Sequence, residues 1–131
     1  MKSTMLKLVL VGIPVAAYAF GQAEVNYKEP ARLAELVAGN QVPYILVDVR
    51  TPAEYASGHI PTAVNIPVTE IATRLPTEDT SALIILYCRS GARSASARQT
   101  LQGLGYSNVV DFGSVSKWSE GLVEGDAPAA R

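Results

Sequence analysis

The stretch that decides the fold reads LIILYCRSGARS and spans residues 83–94 of a 131-residue chain. Residues 83–87 form the most apolar strand pattern of the sequence, which is typical of a central strand covered on both faces of a parallel sheet. Cys88 follows that strand directly, and residues 94–104 have helical spacing. Because ligand sites in such sheets form at the carboxyl ends of strands, next to helix N-termini, this position makes Cys88 the first candidate for a functional residue.

Strand and helix patterns alternate along the rest of the chain. The apolar runs that indicate strands lie at 25–27, 44–49, 63–66, 83–87 and 109–112. Helical patterns begin at Pro30, at the capping box Thr51-Pro52-Ala53-Glu54, and near 69–75, 94–104 and 116–122. This alternation predicts one α/β domain, with a parallel sheet and helices on both of its faces.

The composition excludes several classes of protein. With 48% hydrophobic and 18% charged residues, the chain is neither disordered nor a coiled coil. Eleven Lys and Arg residues against twelve Asp and Glu residues give a net charge of −1, so no basic surface for nucleic acid is expected. The single cysteine and single histidine exclude an internal disulfide and a multi-cysteine zinc site, and neither a metal nor another cofactor is expected.

Residues 1–23 have the pattern of a secretory signal peptide. Two lysines precede an apolar run at 8–17, and small residues then mark a cleavage site after Ala19, with a second option after Ala23. The alternative is an uncleaved membrane anchor, although the apolar run is shorter than the ~20 residues of a spanning helix. The pattern therefore predicts a periplasmic or secreted protein.

The sequence after the signal reads as one domain over residues 24–124, followed by a flexible tail at 125–131. Exported proteins meet an oxidising environment, in which thiols usually pair as disulfides. A single cysteine that has no partner in such a compartment favours a reactive thiol.

The chemistry is concentrated in the loop Cys88-Arg89-Ser90-Gly91-Ala92-Arg93. A short turn between a strand and a helix can point several backbone N–H groups inward and form an anion-binding nest. The helix N-terminus and the charges of Arg89 and Arg93 are expected to lower the pKa of the Cys88 thiol, while Gly91 permits the tight curvature. A lone cysteine is more often a small buried apolar residue, but this position and these neighbours favour a nucleophile.

The sequence of this loop and several other stretches of the chain resemble those of a known protein family. The loop, residues 87–94, resembles the active-site loop of single-domain rhodaneses, the thiosulfate sulfurtransferase family, with its pattern YC-x-x-G-x-R-S. Further stretches that resemble the family are LVDVR at 46–50, EY at 54–55, GHIP at 58–61, AVNIP at 63–67 and LGYSNV at 104–109, with Trp118. The similarity runs from about Val25 to Leu122.

The resemblance implies a rhodanese-like three-layer sandwich with a central, mainly parallel five-stranded sheet. It also implies that Cys88 takes sulfane sulfur from a small donor such as thiosulfate, becomes a persulfide, and passes the sulfur to cyanide, a small thiol or a protein acceptor. Arg89, Ser90, Gly91, Ala92 and Arg93 would then bind the substrate, and two arginines favour a dianion. Oligomeric state is not readable from the sequence.

Two positions depart from the family pattern. Thr62 stands where the family usually has glycine, and Ser114 replaces the second glycine of a Gly-Gly pair after Gly113. Since glycine often marks a positive φ or a close backbone approach, the local turns are expected to differ there.

Two other functional classes are open. Phosphatases and arsenate reductases on the same fold resemble rhodaneses, but the phosphatases use a loop of the form C-x5-R, which is wider than the C-x4-R loop from Cys88 to Arg93. Arsenate reduction normally needs a second thiol, and the chain has one cysteine. The other alternative is a sulfur carrier or a partner-binding module in a relay.

Other polar residues have structural interpretations. We expect His59 to bond backbone near the Gly58 turn, and Asp48 and Arg50 to form an ion pair. Trp118 is expected in the core or at its rim, and Arg98 on a solvated helix face.

Overall fold

The computed structural model describes residues 25–39 and 42–126. The expected signal peptide at 1–23 and most of the expected tail lie outside these residues. Among the described residues, no helix combines the length and apolar character that a membrane crossing requires. The elements in chain order are α1 Pro30–Val37, β1 Ile45–Asp48, α2 Pro52–Ser57, β2 Val64–Asn65, β3 Ile84–Cys88, α3 Ala92–Gly103, β4 Val109–Ser114 and a 3-10 helix at Val115–Lys117.

The sheet is parallel throughout and has the strand order β2-β1-β3-β4. It confirms the predicted α/β fold but contains four strands in the described part of the chain, not five. The strand expected at 25–27 is not formed: the Asn26 side chain accepts a hydrogen bond from the Lys28 N–H, and the Asn26 carbonyl accepts one from the Glu29 N–H. This local turn uses the polar groups that a strand would offer to a neighbour.

Strand β3 divides the core into two layers. All five of its residues are buried. Ile84, Leu86 and Cys88 face the cluster that includes Ala97 and Leu101 of α3. The alternate residues of β3 face the other cluster, which includes Leu33 and Leu36 of α1, Tyr55 of α2, and Trp118, which follows the 3-10 helix. The continuous apolar run at 84–87 is therefore explained by burial on both faces, as expected for a parallel sheet.

Helix α2 begins as its sequence predicts. The Thr51 hydroxyl accepts the Glu54 N–H at 3.2 Å, and the Glu54 carboxylate accepts the Thr51 N–H at 3.0 Å, so both halves of the capping box are present. Pro52 occupies the first turn, and Gly58 ends the helix with a φ of 156°. Because both unpaired donors are satisfied locally, a helix of only six residues is stable in this place.

Two predicted helices were wrong. In place of a helix at 69–75, residues 68–73 form hydrogen-bonded turns, and the Glu70 carbonyl accepts the Thr73 and Arg74 N–H groups. Alternating β-branched residues in a short segment between two prolines disfavour a continued helix. The helix expected at 116–122 is only the 3-10 turn Val115–Lys117, because Trp118 is extended and its indole N–H donates to the Gly121 carbonyl at 3.1 Å.

The buried charges form the ion pair that the sequence predicts. The Asp48 carboxylate accepts the Arg50 Nε at 3.0 Å and Nη2 at 2.7 Å, with Arg50 8% and Asp48 0% exposed. Arg50 Nη2 also donates to the Gly58 carbonyl at 2.7 Å. The pair therefore ties the end of β1 to the end of α2, and removing either partner leaves a buried charge that costs about 3–5 kcal/mol.

The backbone conformation of Thr62 explains why the family usually has glycine at this position. Its φ is 75°, and it is the one residue other than glycine with a positive φ among those described. A side chain in this region costs about 1–2 kcal/mol. The Thr62 hydroxyl lies 2.9 Å from the Tyr44 hydroxyl, and this hydrogen bond offsets part of the strain.

We predict that Thr62→Gly in a Tyr44→Phe background raises the free energy of unfolding by about 0.5–1 kcal/mol, because the strain is relieved and the hydrogen bond to the Tyr44 hydroxyl is already absent. In the wild-type background the gain is smaller, since the Tyr44 bond disappears as well. Urea unfolding of the four proteins gives both differences. A loss of stability in the Tyr44→Phe background would contradict the strain at Thr62.

Candidate functional site

The site lies where β3 ends and α3 begins. Cys88 is the last residue of β3, and α3 starts at Ala92, two residues earlier than expected. Gly91 is the N-cap of α3, with a φ of 105° in the left-handed region. An added Cβ at Gly91 would meet only the Gly113 Cα, at 3.9 Å, so the backbone conformation rather than space requires glycine here.

Backbone N–H groups of the loop point at the Cys88 sulfur. The Gly91 N–H lies 3.0 Å from Sγ and the Ser94 N–H 3.4 Å from it, while the Ser94 hydroxyl lies at 3.5 Å. Cys88 itself is fully buried. A buried sulfur surrounded by donors is poised to carry negative charge, because each N–H dipole points its positive end at the atom.

Two opposing effects set the acidity of Cys88. Burial raises the pKa of the thiol, but hydrogen bonding with the Ser94 hydroxyl and with the N–H groups of Ser94, Gly91 and Ser90 outweighs it, so the pKa lies below its usual value. The direction matches the sequence prediction, and the main lowering effect is hydrogen bonding rather than the charges of the two arginines.

The Arg93 guanidinium is held in an ion pair with Glu54. Its Nη1 and Nη2 bind the Glu54 carboxylate oxygens at 2.8 and 3.0 Å, with side chains 34% and 28% exposed. The hydrogen bond to Glu54 is the main cause that raises the pKa of the Arg93 guanidinium, and the charge of the Cys88 thiolate adds to it. The same contact lowers the pKa of Glu54 to about 2. Arg93 therefore ties the loop to α2.

The remaining loop residues have distinct positions. Arg89 is exposed, and within residues 25–39 and 42–126 its guanidinium has no hydrogen bond or ion pair. Ser90 is also exposed and contributes its backbone N–H, while Ala92 is the exposed first residue of α3. The loop thus presents one free cation rather than the two expected from its sequence.

The residues that were expected to have structural roles, His59, Trp118 and Arg98, make the following contacts. The His59 Nδ1 lies 2.8 Å from the Tyr55 carbonyl, and the two rings stack with centroids 3.6 Å apart. Because a carbonyl only accepts, Nδ1 carries the proton, and the ring serves the fold. Trp118 is buried, as expected. Arg98 is not fully solvated as predicted: its half-buried side chain donates to the Val109 carbonyl at 3.0 Å.

Three contacts at the loop were missed by the sequence analysis. Ser94 was quoted only as part of the motif, although both its N–H and its hydroxyl reach the sulfur. Glu54 was explained by the capping box, and no sequence signal marks its second partner, Arg93. Ser114 was noted only as a missing glycine, yet its hydroxyl reaches the Arg89 carbonyl at 2.6 Å.

No second chemical centre was found in the described part of the chain. Its His, Cys, Asp and Glu side chains form no group of three or more that could hold a metal ion. A cavity of about 750 Å³ lies at the amino ends of β1, β3 and β4, opposite the loop, and its lining includes no charged side chain. The loop at Cys88 is therefore the candidate active site.

We predict that the alkylation rate of Cys88 by iodoacetamide has a pH midpoint below the ~8.5 of a free thiol, because the loop donors stabilise the thiolate. Ser94→Ala removes the hydroxyl and raises the midpoint. Ser96→Ala, an exposed position on the same helix, is the matched control and leaves it unchanged. A wild-type midpoint equal to that of a free thiol contradicts the hydrogen-bonding explanation.

Comparison with known proteins assigns the family. Residues 29–121 match the rhodanese-like domain family. The chain is 41% identical over 76 residues to a sulfurtransferase of Allochromatium vinosum, covering 57% of this chain and 71% of that protein. It is 32% identical over 81 residues to the thiosulfate sulfurtransferase PspE of Escherichia coli, covering 60% and 78%. A solved rhodanese with anions from E. coli superimposes with a TM-score of 0.60 at 29% identity, over 63% of this chain and 100% of that one. The match over residues 29–121, together with the loop geometry at Cys88, shows that this chain belongs to the rhodanese-like domain family.

Proposed function

We propose that this protein is a thiosulfate sulfurtransferase in which Cys88 carries the transferred sulfur as a persulfide. The observation that carries the proposal is the convergence of the Gly91 and Ser94 N–H groups on the Cys88 sulfur at 3.0 and 3.4 Å. The relatives named sulfurtransferase support the reaction class, and the relative named thiosulfate sulfurtransferase supports the donor.

In the first step the Cys88 thiolate attacks the outer sulfur of thiosulfate. A new S–S bond forms, the S–S bond of thiosulfate breaks, and sulfite leaves with the electron pair of that bond. The terminal sulfur of the persulfide keeps one negative charge, so the backbone donors that stabilise the thiolate also stabilise the product. No proton moves in this step, and no general base is required.

In the second step a thiophilic acceptor attacks the terminal sulfur. Cyanide leaves as thiocyanate, or a small thiolate leaves as its own persulfide, and the electron pair of the broken S–S bond returns to Cys88 as thiolate. Burial of Cys88 restricts access to the sulfur, which favours slender reactants over bulky ones. A protein thiol on an exposed tail is a further candidate acceptor, as in a sulfur relay.

Incubation with thiosulfate is expected to add the mass of one sulfur atom to the intact protein, and cyanide is expected to remove it as thiocyanate. Cys88→Ser abolishes both changes, whereas Ser96→Ala preserves them. Sulfur loading without thiocyanate formation supports a carrier role instead. Hydrolysis of a phosphate ester that depends on Cys88, with no sulfur loading, would falsify the proposal and favour the phosphatase alternative.

The two arginines are expected to have different roles. Arg89 is free to attract the donor dianion, so Arg89→Ala raises the KM for thiosulfate about three- to tenfold with little change in kcat. Arg93 holds the loop through Glu54, so Arg93→Ala lowers kcat as well. Steady-state kinetics decide this, with Arg89→Lys as the control that keeps the charge. Glu54→Gln reproduces the Arg93→Ala profile if the ion pair is what matters, and indistinguishable profiles for the two arginine variants refute the division.

Export is the second part of the proposal. The pattern at 1–23 supports delivery to the periplasm or the exterior, with removal of the segment after Ala19 or Ala23. Mass measurement of the protein recovered from a cell fractionation tests this. A protein that retains residues 1–23 and stays with the membranes supports the anchor instead.

A further inference from the structure

Ser114 reaches the active-site loop because of an irregularity in the sheet. Leu86 pairs with Asp111, but Tyr87 pairs with Gly113 and Cys88 with Ser114, so β4 contains one extra residue at this point. Gly113 has a φ of 96°. Such bulges re-aim side chains at the ends of strands, and this one brings Ser114 rather than Gly113 level with Cys88.

The hydroxyl of Ser114 is fully engaged. It donates its one proton to the Arg89 carbonyl at 2.6 Å. It accepts the Ser116 N–H at 3.1 Å and, because its own proton is used, it accepts the Ser116 hydroxyl at 2.7 Å. One donor and two acceptor sites are all that a hydroxyl has, so the orientation of this group is determined.

The Arg89 carbonyl and the Ser90 N–H belong to the same peptide unit. In a planar trans peptide these two groups point in opposite directions, and the described residues contain no cis peptide. Holding the carbonyl toward Ser114 therefore fixes the direction of the Ser90 N–H, which points away from the Ser114 hydroxyl. The Ser90 N–H is one of the groups that favour the Cys88 thiolate.

We propose that Ser114 is a positioning residue, whose hydroxyl holds the Arg89–Ser90 peptide so that the Ser90 N–H faces the sulfur at Cys88. This deepens the proposed function and rests on it for the role of Cys88 as sulfur carrier. Glycine at this position has no hydroxyl, so the serine supplies an anchor that a Gly-Gly pair lacks. Without the anchor this peptide can rotate, and the sulfur loses one of its donors.

Other charges do not change in the test of this proposal. The charged residues of the loop and of the elements around it are Arg89, Arg93, Arg98, Glu54, Asp48, Arg50, Asp111 and Lys117. The Lys117 ammonium donates to the carbonyls of Lys28 and Phe112. Substituting Ser114 by a neutral residue leaves all of these in place, so a shift in thiol acidity reports on the peptide.

The experiment measures the pH midpoint of Cys88 alkylation by iodoacetamide in Ser114→Ala and Ser114→Gly. Loss of one hydrogen bond to the thiolate raises the midpoint by about half to one pH unit. Ser114→Thr keeps the hydroxyl and restores the wild-type midpoint. Ser116→Ala is the matched control: it removes a neighbouring hydroxyl but leaves the bond from Ser114 to Arg89, so its midpoint stays at the wild-type value.

Thermal unfolding separates positioning from a purely structural role. Ser114 also caps the 3-10 helix, so both substitutions that lack a hydroxyl lower Tm whether or not the proposal holds. The proposal is overturned if Ser114→Ala and Ser114→Gly keep the wild-type midpoint, or if Ser116→Ala shifts it equally. Alkylation needs no turnover. If the protein shows these shifts but does not load sulfur from thiosulfate, thiosulfate is not the donor, and the role of Ser114 as a positioning residue still holds.

Discussion

The site depends on backbone N–H groups that converge on one buried sulfur atom. A thiolate without access to water is costly unless donors replace its hydration. Here the backbone N–H groups of Gly91 and Ser94 supply them, at 3.0 and 3.4 Å from Sγ. These donors are fixed by the turn and by the start of α3, so no donor has to reorganise when the sulfur gains or loses charge.

The two arginines of the loop have different surroundings. Arg93 leaves the loop at the first turn of α3 and is held by Glu54, which also closes the capping box of α2. One carboxylate therefore stabilises the start of a helix and fixes the loop after Cys88 to it. Arg89 remains the unpaired cation of the loop in the described part of the chain, so the guanidinium that holds the loop and the guanidinium that is free belong to different residues.

The two positions that depart from the family's glycines differ physically. Thr62 takes the left-handed conformation that glycine would adopt freely, with a φ of 75°, and its hydroxyl bonds to Tyr44. Ser114 has an ordinary extended backbone, with φ −86° and ψ 135°, and so carries a side chain without strain. The first departure costs stability, whereas the second adds a hydroxyl at the edge of the loop that follows Cys88.

The sequence by itself determined the features that depend on neighbouring residues. The buried run before Cys88, the capping box at Thr51 and the loop pattern are local signals, and they predicted the parallel sheet and the candidate nucleophile. Tertiary structure decided what depends on partners far along the chain. A local turn at Asn26 forms in place of a predicted strand. Glu54 forms an ion pair with Arg93, and the bulge in β4 places the Ser114 hydroxyl at the Arg89 carbonyl. Arg93 and Glu54 are 39 residues apart, and Ser114 and Arg89 are 25 apart. Such contacts arise only when the sheet aligns its strands, because periodicity and capping patterns extend over a few residues at most.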